Sequence, residues 1–242
     1  MTEAVGLAAV CLAVAIGATA QRITGIGIAL VSAPGLVLMF GPLTAVPLCN
    51  LMALLLNVGI LLTSPGKIEW RRAATMAAGS AVVILALSPL VQRADQALLQ
   101  ATIGVAVLVA IALTFWLRTR GRPSGDSMLA RLFAGASAGG LGAAAGLSGP
   151  PLAIYAVRTG WAGPTFVPTL QGVSAVINVI AVAAAPRISI PPLSWVVLIG
   201  ALGAGAVAGA LLAPRADPRM IQTAALMLAA VGAIVTLVVA LT

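Results

Sequence analysis

The stretch Gln21-Arg22-Ile23-Thr24-Gly25-Ile26-Gly27 interrupts apolar sequence near the start of the chain, and Gly146-Leu147-Ser148-Gly149-Pro150-Pro151 interrupts it again in the second half. Both are helix breakers set between segments apolar enough for a membrane. In hydrocarbon no water satisfies a freed backbone N–H or C=O, so such breaks are tolerated only where protein or a wet cavity supplies the partners. The pair therefore points to a transport site built from two broken elements.

Composition supplies the setting for the breaks. Apolar residues make up 61% of 242 positions, charged residues 7%, and the mean hydropathy is +1.15. Such a chain is a polytopic helical membrane protein, because spans of about 20 residues recur, whereas a barrel would show alternating segments of roughly ten. The net charge of +8 comes from thirteen Lys and Arg against five acids. Most of these bases lie between hydrophobic runs, where they set topology and meet lipid headgroups, so the bilayer is a partner and nucleic acid is not. There is no histidine, and the two cysteines, Cys11 and Cys49, sit inside apolar runs. A disulfide framework and a zinc or haem site both lack ligands, so no metal and no cofactor is expected. Without histidine there is also no nucleophile–base pair, and an enzyme is not expected.

The run from Glu3 to Ala20 ends in Ala18-Thr19-Ala20, which looks like a signal-peptidase site. It lacks the basic start of a signal, and Gly17-Ala18-Thr19-Ala20 returns internally as Gly135-Ala136-Ser137-Ala138. It reads as mature structure.

In chain order, apolar segments at 4–20 and 26–40 flank the first break, with Gly41-Pro42 closing the second of them. Each would reach only about 20–25 Å at 1.5 Å per residue, short of the roughly 30 Å hydrocarbon core, so a broken helix or re-entrant hairpin is expected. Full spans follow at 43–63, 72–90 and 97–117. A polar linker, 118–130, then separates this first unit, 1–117, from a second, 131–242, which repeats the plan. Displacing Pro47, Asn50 and Asn57 by 121 positions lands on Pro168, Gln171 and Asn178, and a displacement of 122 carries Arg93-Ala94-Asp95 onto Arg215-Ala216-Asp217. The expected fold is an all-α polytopic membrane protein of two internal repeats and about eight segments, each repeat a broken helical element plus three transmembrane helices. The basic cluster Lys67, Arg71, Arg72 and the linker should be cytoplasmic, and the Arg93/Asp95 turn outside. With hairpins at the breaks the repeats are inverted and Arg215 lies inside; with full crossings they are parallel and Arg187 does.

All five acids, Glu3, Glu69, Asp95, Asp126 and Asp217, fall at a terminus or between spans, so no protein proton relay is built into the membrane. Arg22 lies within the first break. It is either an oxyanion ligand, its planar guanidinium matching paired oxygens, or an interfacial anchor at a hairpin tip. Helices starting after Gly27 and Gly149 would present unpaired N–H groups and positive dipole ends to an anion, and Pro150 suits a helix start. Asn50 and Asn57 share one helix face, as do Gln171 and Asn178. These amides bind substrate oxygens or satisfy the freed backbone of the breaks. With Gln21, Thr24, Gly25, Gly27, Ser148, Gly149 and Pro150 they complete the candidate substrate site. Trp70, Trp116, Trp161 and Trp195 read as interfacial aromatics, and Tyr155 as a residue lining the second break.

The motif Gln21-Arg22-Ile23-Thr24-Gly25-Ile26-Gly27-Ile28-Ala29-Leu30 with Pro34, followed by Gly146-Leu147-Ser148-Gly149-Pro150-Pro151-Leu152, resembles the TauE/SafE sulfite exporter family, also called the sulfonate-uptake permease family. The resemblance covers nearly the whole chain. It implies about eight transmembrane segments in two repeats and a multi-pass transporter in the bacterial inner membrane for sulfite, a sulfonate or another small organic anion. Many members carry further glycines where this chain has Ile28 and Ala29. The expected partners are therefore a small sulfite, sulfonate or carboxylate anion, the bilayer and, in a homo-oligomer, further copies of the chain. An anion channel and a structural or assembly subunit are the alternative readings.

Overall fold

The computed structural model describes residues 2–64, 66–120 and 125–241, and the side chains of these except 2, 3, 114–120 and 219. Linker residues 121–124 and the side chains of linker residues 118–120 and of Trp116, which entered the sequence reading, lie outside the described residues. Among the described residues the chain is all helical: α1 (Thr2–Thr24), α2 (Ile28–Phe40), α3 (Pro42–Thr63), α4 (Trp70–Arg93), α5 (Gln96–Arg120), α6 (Met128–Ala145), α7 (Gly149–Thr159), α8 (Phe166–Ala183), α9 (Pro192–Leu212) and α10 (Pro218–Leu241). Eight of these helices are long and apolar enough to cross a membrane; α2, of 13 residues, and α7, of 11, are not.

The first apolar segment is longer than the reading of 4–20 allows. Helix α1 runs through Gln21 and Arg22 to Thr24, giving 23 residues, or about 34 Å, enough for a full crossing. Its last turn closes on itself: the Gly25 N–H donates to the Gln21 carbonyl at 2.8 Å, and the Thr24 hydroxyl lies 2.8 Å from the Ala20 carbonyl. The first break is thus confined to Gly25–Gly27.

Small residues decide the packing, as expected where no hydrophobic force drives helices together. Along α1 and α9, Gly205 faces Ala15 and Gly209 faces Thr19 and Arg22, so the two helices run side by side in the same direction. Likewise Gly135 faces Met76 and Gly139 faces Ser80 along α6 and α4. Each hairpin therefore docks on a helix of the opposite half. At the centre α3 packs on α8, and α5 pairs with α10.

Polar residues gather at one end of the bundle. Asp126, just before α6, accepts from Arg131 Nε at 2.8 Å, from Arg72 Nη2 at 2.7 Å and from the Tyr155 hydroxyl at 2.5 Å. Glu69, at the start of α4, pairs with Arg72 at 2.5 Å and accepts from the Trp161 indole at 3.2 Å and from the Thr165 hydroxyl. The Arg72 guanidinium lies 4.5 Å above the Trp161 ring, which meets Tyr155 and Phe166 edge-on. Trp161 is buried here, not interfacial, because Glu69 and Arg72, at the start of α4 and distant in sequence, satisfy its N–H and its π face. The Arg131 hydrogen bond, followed by those from Tyr155 and Arg72, holds the Asp126 carboxyl well below the usual carboxylate range. At the far end, Gln92 donates to the Ala184 carbonyl at 2.8 Å, and Asp95 caps α5 through the Ala97 and Leu98 amides.

Candidate functional site

The two breaks use the same local device. Gly25 and Gly146, 121 positions apart, both sit at positive φ, 84° and 71°, a conformation that glycine enters without a Cβ clash. After Gly146 the α6 terminus closes by Gly146 N–H to Gly142 O at 3.0 Å and Leu147 N–H to Leu141 O at 3.1 Å, a Schellman-like end that satisfies the last carbonyls. The chain then turns back into α2 and α7, whose first turns point into the space between the breaks.

That space is a cavity of about 30 Å³ lined by both breaks, room for a water-sized occupant. Gly25, Gly27 and Ile28 form one wall and Gly146, Ser148, Gly149 and Pro150 the other, with Asn57 and Gln21 between them. The hydroxyl-bearing Ser174 also lines it, and sequence reasoning missed this residue. The signal was present: Gln171, Ser174 and Asn178 share one face of α8 at helical spacing.

Gln21 is buried and bridges the first break. Its Nε2 donates to Asn57 Oδ1 at 2.6 Å, and its Oε1 accepts from the Ile28 N–H at 3.1 Å, one of the free donors of the α2 N-terminus. Gln171 donates to the Gly25 carbonyl at 3.2 Å, and Asn50 donates to the carbonyls of Gly142 and Val46 at 3.0 and 3.1 Å. These amides thus serve freed or terminal backbone, one of the two roles the sequence left open. Thr24 does the same, its hydroxyl lying 2.7 Å from the Ile26 carbonyl.

One departure of the second half from the first bears on the site. Displacing Gln21 by 121 lands on Gly142, so Asn178, the counterpart of Asn57, has no glutamine to meet. Both atoms of the Asn178 amide are buried without a hydrogen-bond partner, as are Asn50 Oδ1 and Gln171 Oε1. Enclosed polar atoms of this kind are few in folded proteins and each calls for an explanation.

Arg22 does not line the cavity between the breaks. One helical step from Gln21 turns it to another face of α1, where its Cβ and Cγ lie over Gly209. There it lines a larger cavity of about 320 Å³ with Ile60, Phe166, Val167 and Gln222, and only Gln21 and Gly25 line both cavities. Asn50, Gln171 and Asn178 lie behind the lining, in the α3–α8 core. Tyr155 lines the opposite, outer face of α7. Cys49 is buried with its Cβ side toward Gly146, which fits a small packing residue.

Helical spans, paired glycine breaks and buried amides at matching positions make up a membrane fold with an internal polar site. No curated protein and no solved structure matches the chain. The family model for sulfite exporter TauE/SafE matches residues 9–240, nearly the entire sequence. The chain accordingly belongs to the TauE/SafE sulfite exporter family and is a multi-pass membrane protein of a transporter family, not an enzyme.

Proposed function

We propose that the protein is a secondary carrier, an exporter or permease of the bacterial inner membrane, for a small sulfur-containing anion, sulfite or an organosulfonate. The observation that carries this reading is the meeting of two glycine breaks at one buried cavity, lined by the first residues of α2 and α7. Helix N-termini and backbone N–H groups stabilise an anion without a buried cation to neutralise. Asn57, Ser148, Gly149 and Ser174 supply the polar contacts, Gln21 holds Asn57 in place, and Asn178 supplies a further amide as the site opens. Arg22, in the adjoining larger cavity, draws the anion toward the break through its charge. The two units, 1–117 and 131–242, act as inverted repeats. In support, α1 runs toward the polar end of the bundle and α6 away from it, and the Pro218 turn lies at that same end, beside Phe166. With no acid inside a span, transport is passive or coupled through protonation of the substrate.

The test is a thermal-shift and uptake screen of purified protein against sulfite, sulfoacetate, taurine, thiosulfate, sulfate and small carboxylates. Saturable flux with counterflow for a sulfur anion is the expected result. Unsaturable flux would make the protein a channel, and absence of both binding and flux would sink the proposal.

A further inference from the structure

A third and still larger space, of about 540 Å³, lies between α5, α6 and α7 and shares only Pro150 with the cavity between the breaks. Ala106, Val109 and Ala110 of α5, Phe133 and Leu141 of α6 and Ile154 of α7 make its walls apolar, while Arg158 and Thr159 stand at one end. In the other half the corresponding place is closed. There α10 packs on α2, so that a Cβ on Gly232 would come within 2.9 Å of Pro34. Displacing Pro34 by 121 gives Tyr155, and displacing Gly232 back by 122 gives Ala110. Tyr155 and Ala110 both line the open groove, so the broad tyrosine stands where the other half has a compact proline.

We propose that this groove binds one acyl chain of an anionic phospholipid, with the lipid phosphate beside Arg158. Three observations converge on that occupant. Val109 and Phe133 line the groove and are largely exposed, and they belong to helices that read as membrane spans, so the groove opens sideways to the bilayer. At that depth the molecules with access are lipids, and the lining matches a hydrocarbon chain. The Arg158 end is also the basic end of the bundle, with Lys67, Arg71, Arg72 and Arg131, the side that the positive-inside bias turns to the cytoplasm and its anionic headgroups. Pro150 lines both this groove and the cavity between the breaks, so an acyl chain here braces α7 directly behind the site.

The experiment is native mass spectrometry of the purified protein with phosphatidylglycerol or phosphatidylcholine, read alongside melting temperature in the same lipids. Wild type is expected to retain phosphatidylglycerol in preference to phosphatidylcholine. Arg158→Gln should reduce that preference at least fivefold while retaining a bound lipid; Ser137 of α6 also lines the groove, and Ser137→Phe, which narrows it, should lose one lipid of either kind. Arg187→Gln, which changes a base at the far end, should leave both unchanged. Identical retention and preference in wild type, Arg158→Gln and Ser137→Phe would overturn the proposal. So would fast reaction of Ser137→Cys, with Cys11 and Cys49 replaced by Ala, with a bulky water-soluble thiol reagent in sealed bilayers, because the groove would then be an aqueous passage.

Discussion

Ile26 and Gly149 close the contact between the two breaks: a Cβ added to Gly149 would stand 2.8 Å from Ile26 Cγ2. Isoleucine is branched at Cβ and stiff at χ1, so it cannot simply swing away. Gly149→Ala should cost about 1–3 kcal/mol through overpacking. Ile26→Ala removes that Cγ2, so combined with Gly149→Ala it should cost less than the two changes taken separately, a coupling that a double-mutant cycle on detergent-solubilised protein would reveal. Simple additivity of the two changes would mean that the breaks do not press on each other.

Gln21 holds Asn57 and the first amide of α2 together, so Gln21→Leu leaves two buried polar groups without a partner. The expected destabilisation is about 2–6 kcal/mol, the sum of two desolvation penalties of about 1–3 kcal/mol each. Its counterpart works the other way. Space exists for a Cβ at Gly142, whose nearest neighbours would be Ile177 at 3.4 Å and Ser148 at 3.7 Å. Gly142→Gln should therefore fold, offer Asn178 the partner that Asn57 already has, and weaken anion binding at least tenfold. Unimpaired binding in a folded Gly142→Gln protein would remove Asn178 from the substrate path.

On the proposed site, Arg22 would act through its charge, at one remove from the bound anion. Arg22→Gln should lower apparent affinity about tenfold at low salt, with the difference shrinking as ionic strength rises, while Arg22→Lys stays close to wild type. Transport measured across a salt series checks this. A salt-independent loss of a hundredfold that Lys does not rescue would instead mean direct, fork-like contact with the anion.

Asp126 ties α4, α6 and α7 together at the polar end, and its folded-state pKa is depressed by Arg131, Tyr155 and Arg72. A depressed carboxylate contributes stability that is present above its unfolded pKa, about 3.9, and is lost as pH falls below that toward the folded value. The melting temperature of wild type should thus fall between about pH 4 and pH 2 more steeply than that of Asp126→Asn. At neutral pH the variant should be less stable by about 1–2 kcal/mol, a figure reduced for the partial exposure of its partners. Parallel pH profiles for the two proteins would show that the network contributes nothing through its charge.

Orientation follows from the same end of the bundle. Single cysteines at Lys67, Gly125 and Arg215 should be shielded from an impermeant reagent in intact cells, and cysteines at Arg93 and Arg187 should react. Reaction at Arg215 with protection at Arg187 would favour parallel repeats.

Much of this was legible in the residues. The apolar runs and the glycine breaks announce helices that stop inside a membrane, and the displacement that aligns Asn50 with Gln171 also aligns Gly25 with Gly146, both left-handed. What escaped depends on rotation about a helix axis and on distant partners. Gln21 and Arg22 look like part of a break because they are polar, yet both propagate a helix readily, and α1 gains its full span through them. Adjacent in sequence, they differ in reach: Gln21 lines the cavity between the breaks as well as the larger one, and Arg22 lines only the larger. Trp161 looks like a bilayer-interface residue until Glu69 and Arg72 are folded onto it. Ser174 carried a readable pattern with Gln171 and Asn178, but a lone serine in an apolar helix draws less notice than an amide.

The parallel pairs α1–α9 and α4–α6 have a mechanical consequence. Backbone contact is so close there that a Cβ on Gly209 would lie 2.5 Å from Arg22 Cβ and one on Gly79 2.5 Å from the Leu132 carbonyl. Each hairpin is fastened to the other half of the chain, so any rigid body that tilts during a transport cycle is woven from both halves and crosses the linker. A chain severed between Gly121 and Ser124 should accordingly work when both fragments are made together, while either fragment made alone exposes an unfilled glycine seam to lipid and is degraded.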